Sequence, residues 1–279
     1  MKRNVSLANI AINTVDILST GIYNVGDKEI DISEHIDNCI KYATLYDGTN
    51  NAISSSVKNM SLPVYKDCVF DFTFETTMHA ADRLSFDENS KVAILNFASA
   101  VRPGGGYLSG CNAQEESIAR VSALVPSLEK FSEEFYRYHR KCNTPYASNK
   151  IIYSPAVPVF KNENGELLDD PYLVDIITSA AVNCSLIPYT PDVADSIRSV
   201  MYSRIREIIA VAALNGNDTL VLGAFGCGVF KNSVSQVGEL FGLVLRKEGY
   251  ARYFKHIVFA IYDSSVDTIS RFKKSFMGR

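Results

Sequence analysis

Apolar and polar positions along the chain alternate between two periods. Lys91–Phe97 reads KVAILNF, a short and almost wholly apolar run of the kind shown by a strand covered on both faces. A glycine-rich stretch follows, then QEESIARVSAL, in which two carboxylates open a helical pattern carried by Ile118, Val121 and Leu124. The same order returns late in the chain. TLVLGAF (Thr219–Phe225) is a second apolar strand that feeds glycines, and SVSQVGELFGLVLRK (Ser233–Lys247) is the helix after it. Between them, Val193, Ile197, Val200, Met201, Ile205, Ile208, Ile209 and Ala212 make the stripe of a long helix from Asp192 to Leu214, ended by Asn215 and Gly216. HIVFAIYD (His256–Asp263) and TISRFKKSF (Thr268–Phe276) close the chain as strand and helix.

The remaining segments fit around these. Leu7, Ile10, Ala11, Val15 and Leu18 form an N-terminal helical stripe, interrupted by Thr14. EIDISEHIDNCIKYA predicts a short strand passing into a helix capped by Ser33, and Thr44–Lys66 predicts a long surface connection. A helix is predicted from about Thr76, and another over Ser127–Arg140, with Leu128, Phe131, Phe135 and Tyr138 as core positions. Ile151–Phe160 is β-like, but Pro155 and Pro158 indicate an edge or irregular strand, turning at Asn164 and Gly165. Val174–Val182 suits a strand buried on both faces. Strands alternating with helices, without an internal repeat, predict a three-layer α/β fold. The expected organisation is an N-terminal helical extension (1–66) packed on a core domain (67–279).

Composition narrows the function classes. The 279 residues carry a net charge of only −3 and no basic cluster, which argues against extended nucleic-acid contact. Six cysteines without a CxxC pair and four isolated histidines predict reduced thiols and no zinc site. The start lacks the apolar core of a signal peptide and no apolar run nears the ~20 residues of a membrane span, so an intracellular, cytoplasmic protein is expected.

Candidate chemistry sits in the two loops. Gly104, Gly105 and Gly106 let the backbone approach a ligand closely, as a pyrophosphate cradle requires, and Glu115 and Glu116 can handle protons. A lone GGG is most often a turn, and glutamates at a helix start most often complement the macrodipole; together behind a buried strand they favour a site. Successive helical residues point about 100° apart, so the two carboxylates divide the work rather than act from one face. The second loop, LGAFGCGVFKN (Leu222–Asn232), lacks both G-x-G-x-x-G and GK[ST], which argues against a dinucleotide fold and a nucleoside triphosphatase.

NFASAVRPGGG, a seven-residue spacer, QEE and then LGAFGCGVFKN resemble microbial-type poly(ADP-ribose) glycohydrolases, and the similarity runs over most of the chain. The resemblance implies a macrodomain-like α/β/α fold with a mixed central sheet, and cleavage of ribose–ribose O-glycosidic bonds from polymer ends to release ADP-ribose. It implies Glu116 as the catalytic glutamate, with Glu115 and Gln114 positioning riboses, Gly226, Cys227, Gly228, Val229 and Phe230 at the diphosphate, and Phe230 against the terminal ribose. Asn96 and Ser99 fall where related macrodomains hold ribose hydroxyls. Cys111 and Cys227 read as small fillers rather than nucleophiles. No metal or cofactor is implied, and the partners implied are poly(ADP-ribose) or ADP-ribosylated proteins. The alternative is a macrodomain that binds ADP-ribose without cutting; the intact QEE favours the enzyme.

Overall fold

The computed structural model describes residues 5–188, 190–262 and 266–278. The chain opens with helix α1 (Val5–Thr20), the hairpin β1 (Ile22–Val25) and β2 (Lys28–Asp31), and α2 (Ser33–Tyr42). Then come β3 (Thr44–Asp47), α3 (Ala52–Asn59), β4 (Val69–Thr73), α4 (Thr77–Ser85), β5 (Val92–Phe97), α5 (Gln114–Val121), α6 (Leu124–Glu129) and α7 (Tyr138–Cys142). The remainder is β6 (Lys150–Lys161), β7 (Leu167–Ser179), α8 (Pro191–Leu214), β8 (Thr219–Leu222), α9 (Val234–Gly242), β9 (His256–Ala260) and α10 (Val266–Met277).

Seven strands form one mixed sheet in the order β3-β6-β7-β5-β8-β9-β4. β7, β5, β8, β9 and β4 run parallel, whereas β6 pairs antiparallel with both β3 and β7. Alternation along the strands builds two cores. Ala93 and Leu95 of β5 join Leu220, Leu222 and the helices α8, α9 and α10 on one face, while Val92 and Ile94 join Val221 and α2, α4, α5 and α6 on the other. This is the three-layer α/β/α arrangement with a mixed sheet that the sequence predicts. Because β5 and β8 are neighbours and parallel (Val92 opposite Thr219, Ile94 opposite Val221), the loops that follow them emerge side by side at the carboxyl ends of the strands, where open α/β sheets bind ligands.

Local chemistry accounts for the main elements. α8 starts at Thr190, whose hydroxyl accepts from Val193 N at 3.3 Å with Pro191 in the first turn, and its end is followed by Gly216 at φ +74°. β6 is irregular, as its prolines predict, but it lies inside the sheet rather than at an edge. A bulge between Ser154 and Val157 takes up Pro155, and Asp175 fixes it by accepting from Ala156 N at 2.7 Å.

Several expectations are corrected. Thr44–Lys66 is not a long surface connection: it holds β3, which pairs with β6 as one edge of the central sheet, and α3, whose Ile53 and Val57 are buried. Ser33 is the first helical residue of α2, and the capping carboxylate is that of Asp31, which accepts from Ser33 N at 2.8 Å. The helix over Ser127–Arg140 is broken: α6 ends at Glu129 and a π-helical turn (Ser132–Arg137) intervenes before α7. Leu128, Phe131 and Phe135 are buried, but Tyr138 is exposed. Asp263 at the end of the predicted last strand lies outside the described residues. All six cysteines are free thiols, of which Cys142 is exposed. Among the described residues, no helix is long and apolar enough to cross a membrane.

In α1 the stripe is shifted from the one predicted. Val15 is exposed, and the buried face is Ala11, Thr14 and Ile17. Thr14 is buried because Lys161, itself 1% exposed, reaches it from β6: the Lys161 ammonium donates to Thr14 Oγ1 at 2.7 Å and Ile10 O at 3.0 Å. Burial pushes this ammonium down to about 8. Thr14 Oγ1 in turn donates to the Arg120 carbonyl at 2.5 Å, which ties α1 to the last turn of α5. Thr14→Val keeps the shape and deletes both bonds. It should cost about 2 kcal/mol, since hydrogen bonds to buried charged groups are the strong ones, whereas Thr14→Ser should cost well under that. Urea midpoints check this, and a wild-type midpoint for Thr14→Val would refute the latch.

Candidate functional site

Residue by residue, QEE divides into three different environments. Gln114, the first residue of α5, staples that helix to the end of β5: its Oε1 accepts from Phe97 N at 2.8 Å, and its Nε2 donates to Leu95 O at 2.7 Å and to Thr77 Oγ1 at 3.1 Å. Its amide is thereby occupied on both sides. Glu115 is 3% exposed, and its Oε2 accepts from Ser99 N at 2.6 Å. Burial pushes its carboxyl up to about 8; the Ser99 N–H opposes that rise and the neighbouring Glu116 adds to it. Glu115 Oε1 and Asn96 Oδ1 are both buried without a hydrogen-bond partner among the described residues, and Asn96 stands beside Glu115.

Glu116 is half-buried and faces the other way. Its Oε1 accepts from Gly106 N at 2.9 Å and its Oε2 from Ala113 N at 3.1 Å. The second bond is one half of a capping box, made from the third helical position back to the N-cap residue. The glycine run is what permits the first. Gly105 has φ +61°, and a Cβ there would lie 2.4 Å from Glu116 Oε1 and 3.2 Å from Glu115 Oε2. At Gly106 a Cβ would meet Cys111 Sγ at 2.6 Å, and at Gly104 it would meet Val125 at 2.8 Å. Gly104, Gly105 and Gly106 thus lie flat against the carboxylates and helix α5 rather than in the wall of the cleft.

Ser99, Gln114, Glu115 and Glu116 line a cleft of about 1010 Å³ together with Gly226, Cys227, Gly228, Val229 and Phe230 of the second loop. In the second loop, Gly226 has φ +73° and packs so tightly that a Cβ would sit 2.4 Å from Ala181 Cβ. Asn232 pins the loop by donating to Gly226 O at 3.0 Å and Val182 O at 2.8 Å. Among the described residues, the N–H groups of Gly226, Gly228, Val229 and Phe230 have no protein acceptor, which makes the loop a ready anion cradle. Phe230 is half-buried against the α8–α9 core, Val229 is exposed, and burial pushes the Cys227 thiol up to about 12, far from a reactive thiolate.

Asn96 is wholly buried behind the cleft wall, donating to Thr178 Oγ1 at 3.2 Å. Ser99 does reach the wall, and its hydroxyl accepts from Val101 N at 3.3 Å and Arg102 N at 3.2 Å. Sequence reasoning missed Arg120, which is 4% exposed and also borders the cleft. Its place four residues after Glu116 on a helix was the available signal. It also missed Thr77, Glu163 and Tyr262, which come to the cleft from distant segments and carry no local signature. Among the described residues no cluster of His, Cys, Asp and Glu could hold a metal ion.

A mixed seven-stranded α/β/α sandwich with a carboxylate-bearing helix facing a glycine loop across the strand ends is a macrodomain-like fold. The family model for the catalytic domain of microbial-type PARG, the poly(ADP-ribose) glycohydrolases, matches residues 11–162, more than half of the chain. The crystal structure of poly(ADP-ribose) glycohydrolase from Thermomonospora curvata is 37% identical, with a TM-score of 0.88 over 98% of this chain and 100% of that one. The same enzyme bound to the inhibitor ADP-HPD is 38% identical, with a TM-score of 0.87 over 99% of this chain and 100% of that one. The Deinococcus radiodurans enzyme in complex with ADP-ribose is 31% identical, with a TM-score of 0.79 over 92% and 99%. A comparison with curated proteins gives no match. The chain belongs to the microbial-type poly(ADP-ribose) glycohydrolase family.

The raised carboxyl of Glu115 has a measurable consequence. Its folded form holds a proton up to about pH 8, while an unfolded glutamate releases it near 4.5, so Glu115 makes stability fall as pH rises from about 4.5 to about 8. Glu115→Gln, neutral at every pH, should flatten that decline and raise Tm at pH 8 relative to wild type more than at pH 5. An equal Tm difference at both pH values would show that Glu115 is ionised when buried.

Proposed function

We propose that the chain hydrolyses the ribose–ribose O-glycosidic bond of poly(ADP-ribose), with Glu116 as its catalytic group. One observation carries the assignment: of the two adjacent glutamates only Glu116 is half-buried rather than buried, and it lines the same cleft as a loop of backbone N–H groups that have no protein acceptor among the described residues. Burial favours the neutral form of Glu115, against the Ser99 N–H that favours the charged one, and this limits negative charge beside Glu116. That leaves Glu115 to hydrogen-bond a ribose hydroxyl. Gln114 contributes by fixing the start of α5, and Gly104, Gly105 and Gly106 by seating the two carboxyls.

The reaction needs one carboxyl in two successive roles. Protonated Glu116 gives its proton to the glycosidic oxygen as the C1–O bond breaks, leaving an oxocarbenium-like ribose and a free hydroxyl on the shortened polymer. The Glu116 carboxylate then takes a proton from the water that adds to C1, which restores the acid and yields ADP-ribose. The diphosphate held at Gly226–Phe230 brings negative charge toward the developing cation. The ring of Phe230, half-buried beside that loop, packs against the terminal ribose. Attack begins at chain ends, a reading supported by Leu7 and Ile10 of α1, which line the cleft together with Arg120.

A paired measurement on wild type and Glu116→Gln tests this reading. General acid–base catalysis is worth roughly 10²- to 10⁴-fold, so hydrolysis of purified polymer should fall by at least that range. ADP-ribose affinity by calorimetry should change only a few-fold, because the diphosphate is held by the other loop. Product sizing of the wild-type reaction should show ADP-ribose from the start. Early mid-length oligomers would refute attack from the ends, wild-type hydrolysis by Glu116→Gln would remove Glu116 from the mechanism, and a wild type that binds ADP-ribose but leaves polymer intact would make the chain a reader.

A further inference from the structure

We propose that Arg120 is a positioning residue for Glu116: its guanidinium closes the segment that carries both backbone donors to the Glu116 carboxylate. This rests on the assignment of Glu116 as the catalytic group and adds a residue to it. The two donors, Gly106 N and Ala113 N, stand at the ends of one short loop. Arg120 binds that loop near its carboxyl end, donating through Nη1 to Cys111 O at 2.5 Å and through Nη2 to Asn112 Oδ1 at 2.7 Å. Cys111 N then donates back to Gly106 O at 3.3 Å, so the hold reaches both donors.

The arrangement is built rather than incidental. Arg120 is 4% exposed, four residues after Glu116 on α5, and it has no carboxylate within salt-bridge distance among the described residues. A buried guanidinium is costly unless its donors are taken up, and here they are taken up by Cys111 O, Asn112 Oδ1 and, at 3.3 Å, Ser117 Oγ. Its own carbonyl is fixed by the Thr14 hydroxyl at 2.5 Å, so the anchor itself is held from α1. None of its partners belongs to the Gly226–Phe230 loop, and loosening Arg120 therefore leaves the diphosphate cradle intact.

The test separates positioning from folding. Arg120→Met, similar in length but without donors, should lower kcat by about 10-fold or more while KM and the ADP-ribose Kd stay within about 3-fold. Arg120→Lys, which can serve one of the two acceptors, should recover part of kcat. In a Glu116→Gln background, Arg120→Met should cause no further loss, because the group it positions is already gone. Should Arg120→Met fail to fold, Asn112→Ala carries the test: Asn112 is exposed, and removing its side-chain acceptor should give the same split at smaller size. Folded Arg120→Met or Asn112→Ala with wild-type kcat would overturn the proposal, as would equal losses in kcat and ADP-ribose affinity. An active Glu116→Gln would instead overturn the catalytic assignment, which keeps the two failures distinct.

Discussion

Close approach between a glycine backbone and a carboxylate is the constraint on which this site depends. Glu116 is held by Gly106 N and Ala113 N, and the approach is possible because no side chain stands at Gly105, where a Cβ would lie 2.4 Å from Glu116 Oε1. In the proposed mechanism this carboxyl gives up and then recovers a proton, and a fixed orientation serves that, because a misplacement of about 1 Å can cost on the order of 10²-fold in rate. The loop is therefore less a ligand cradle than a mould for the glutamates. In the proposed reading the diphosphate goes to the second loop, whose N–H groups at Gly226, Gly228, Val229 and Phe230 have no protein acceptor among the described residues.

The two glutamates are adjacent in sequence but inhabit different dielectrics. Glu115 is pressed into the end of the sheet between Ser99 and Asn96, where ionisation is penalised, while Glu116 keeps contact with the cleft. Helical geometry produces this separation directly, since neighbouring side chains diverge by about 100°. The sheet supplies the rest. With β5 and β8 side by side and parallel, α5 and the Gly226–Phe230 loop start from adjacent strand ends, and Gln114 bolts the helix to β5 through Leu95 and Phe97.

What could be read from the sequence was local. β5 with its glycine loop and α5, and β8 with its own, follow from apolar runs, glycines and helix starts that lie within one short segment each. What was missed depended on partners far along the chain. Thr14 looked like a gap in an apolar stripe, yet it is buried because Lys161, 147 residues away, needs an acceptor there. β3 is four half-exposed residues whose pairing partner is Lys150–Tyr153, so no pattern within Thr44–Asp47 announces a strand. The glycine run was legible as a close approach, but whether it approached a ligand or the protein's own glutamates was decided only by how α5 packs. Gln114, similarly, is a staple because that packing alone brings Leu95 O and Thr77 within reach.

The central claim is that the glycine run seats Glu116, and Gly105→Ala tests it most directly. The added methyl displaces a flexible carboxylate tip rather than backbone, at a strain cost of roughly 1–2 kcal/mol for its positive φ, so the protein should still fold. Polymer hydrolysis should then fall on the order of 10²-fold while ADP-ribose binding, measured on the same preparation, stays within a few-fold. Undiminished hydrolysis by folded Gly105→Ala, or a loss of ADP-ribose affinity as large as the loss of turnover, would contradict the account.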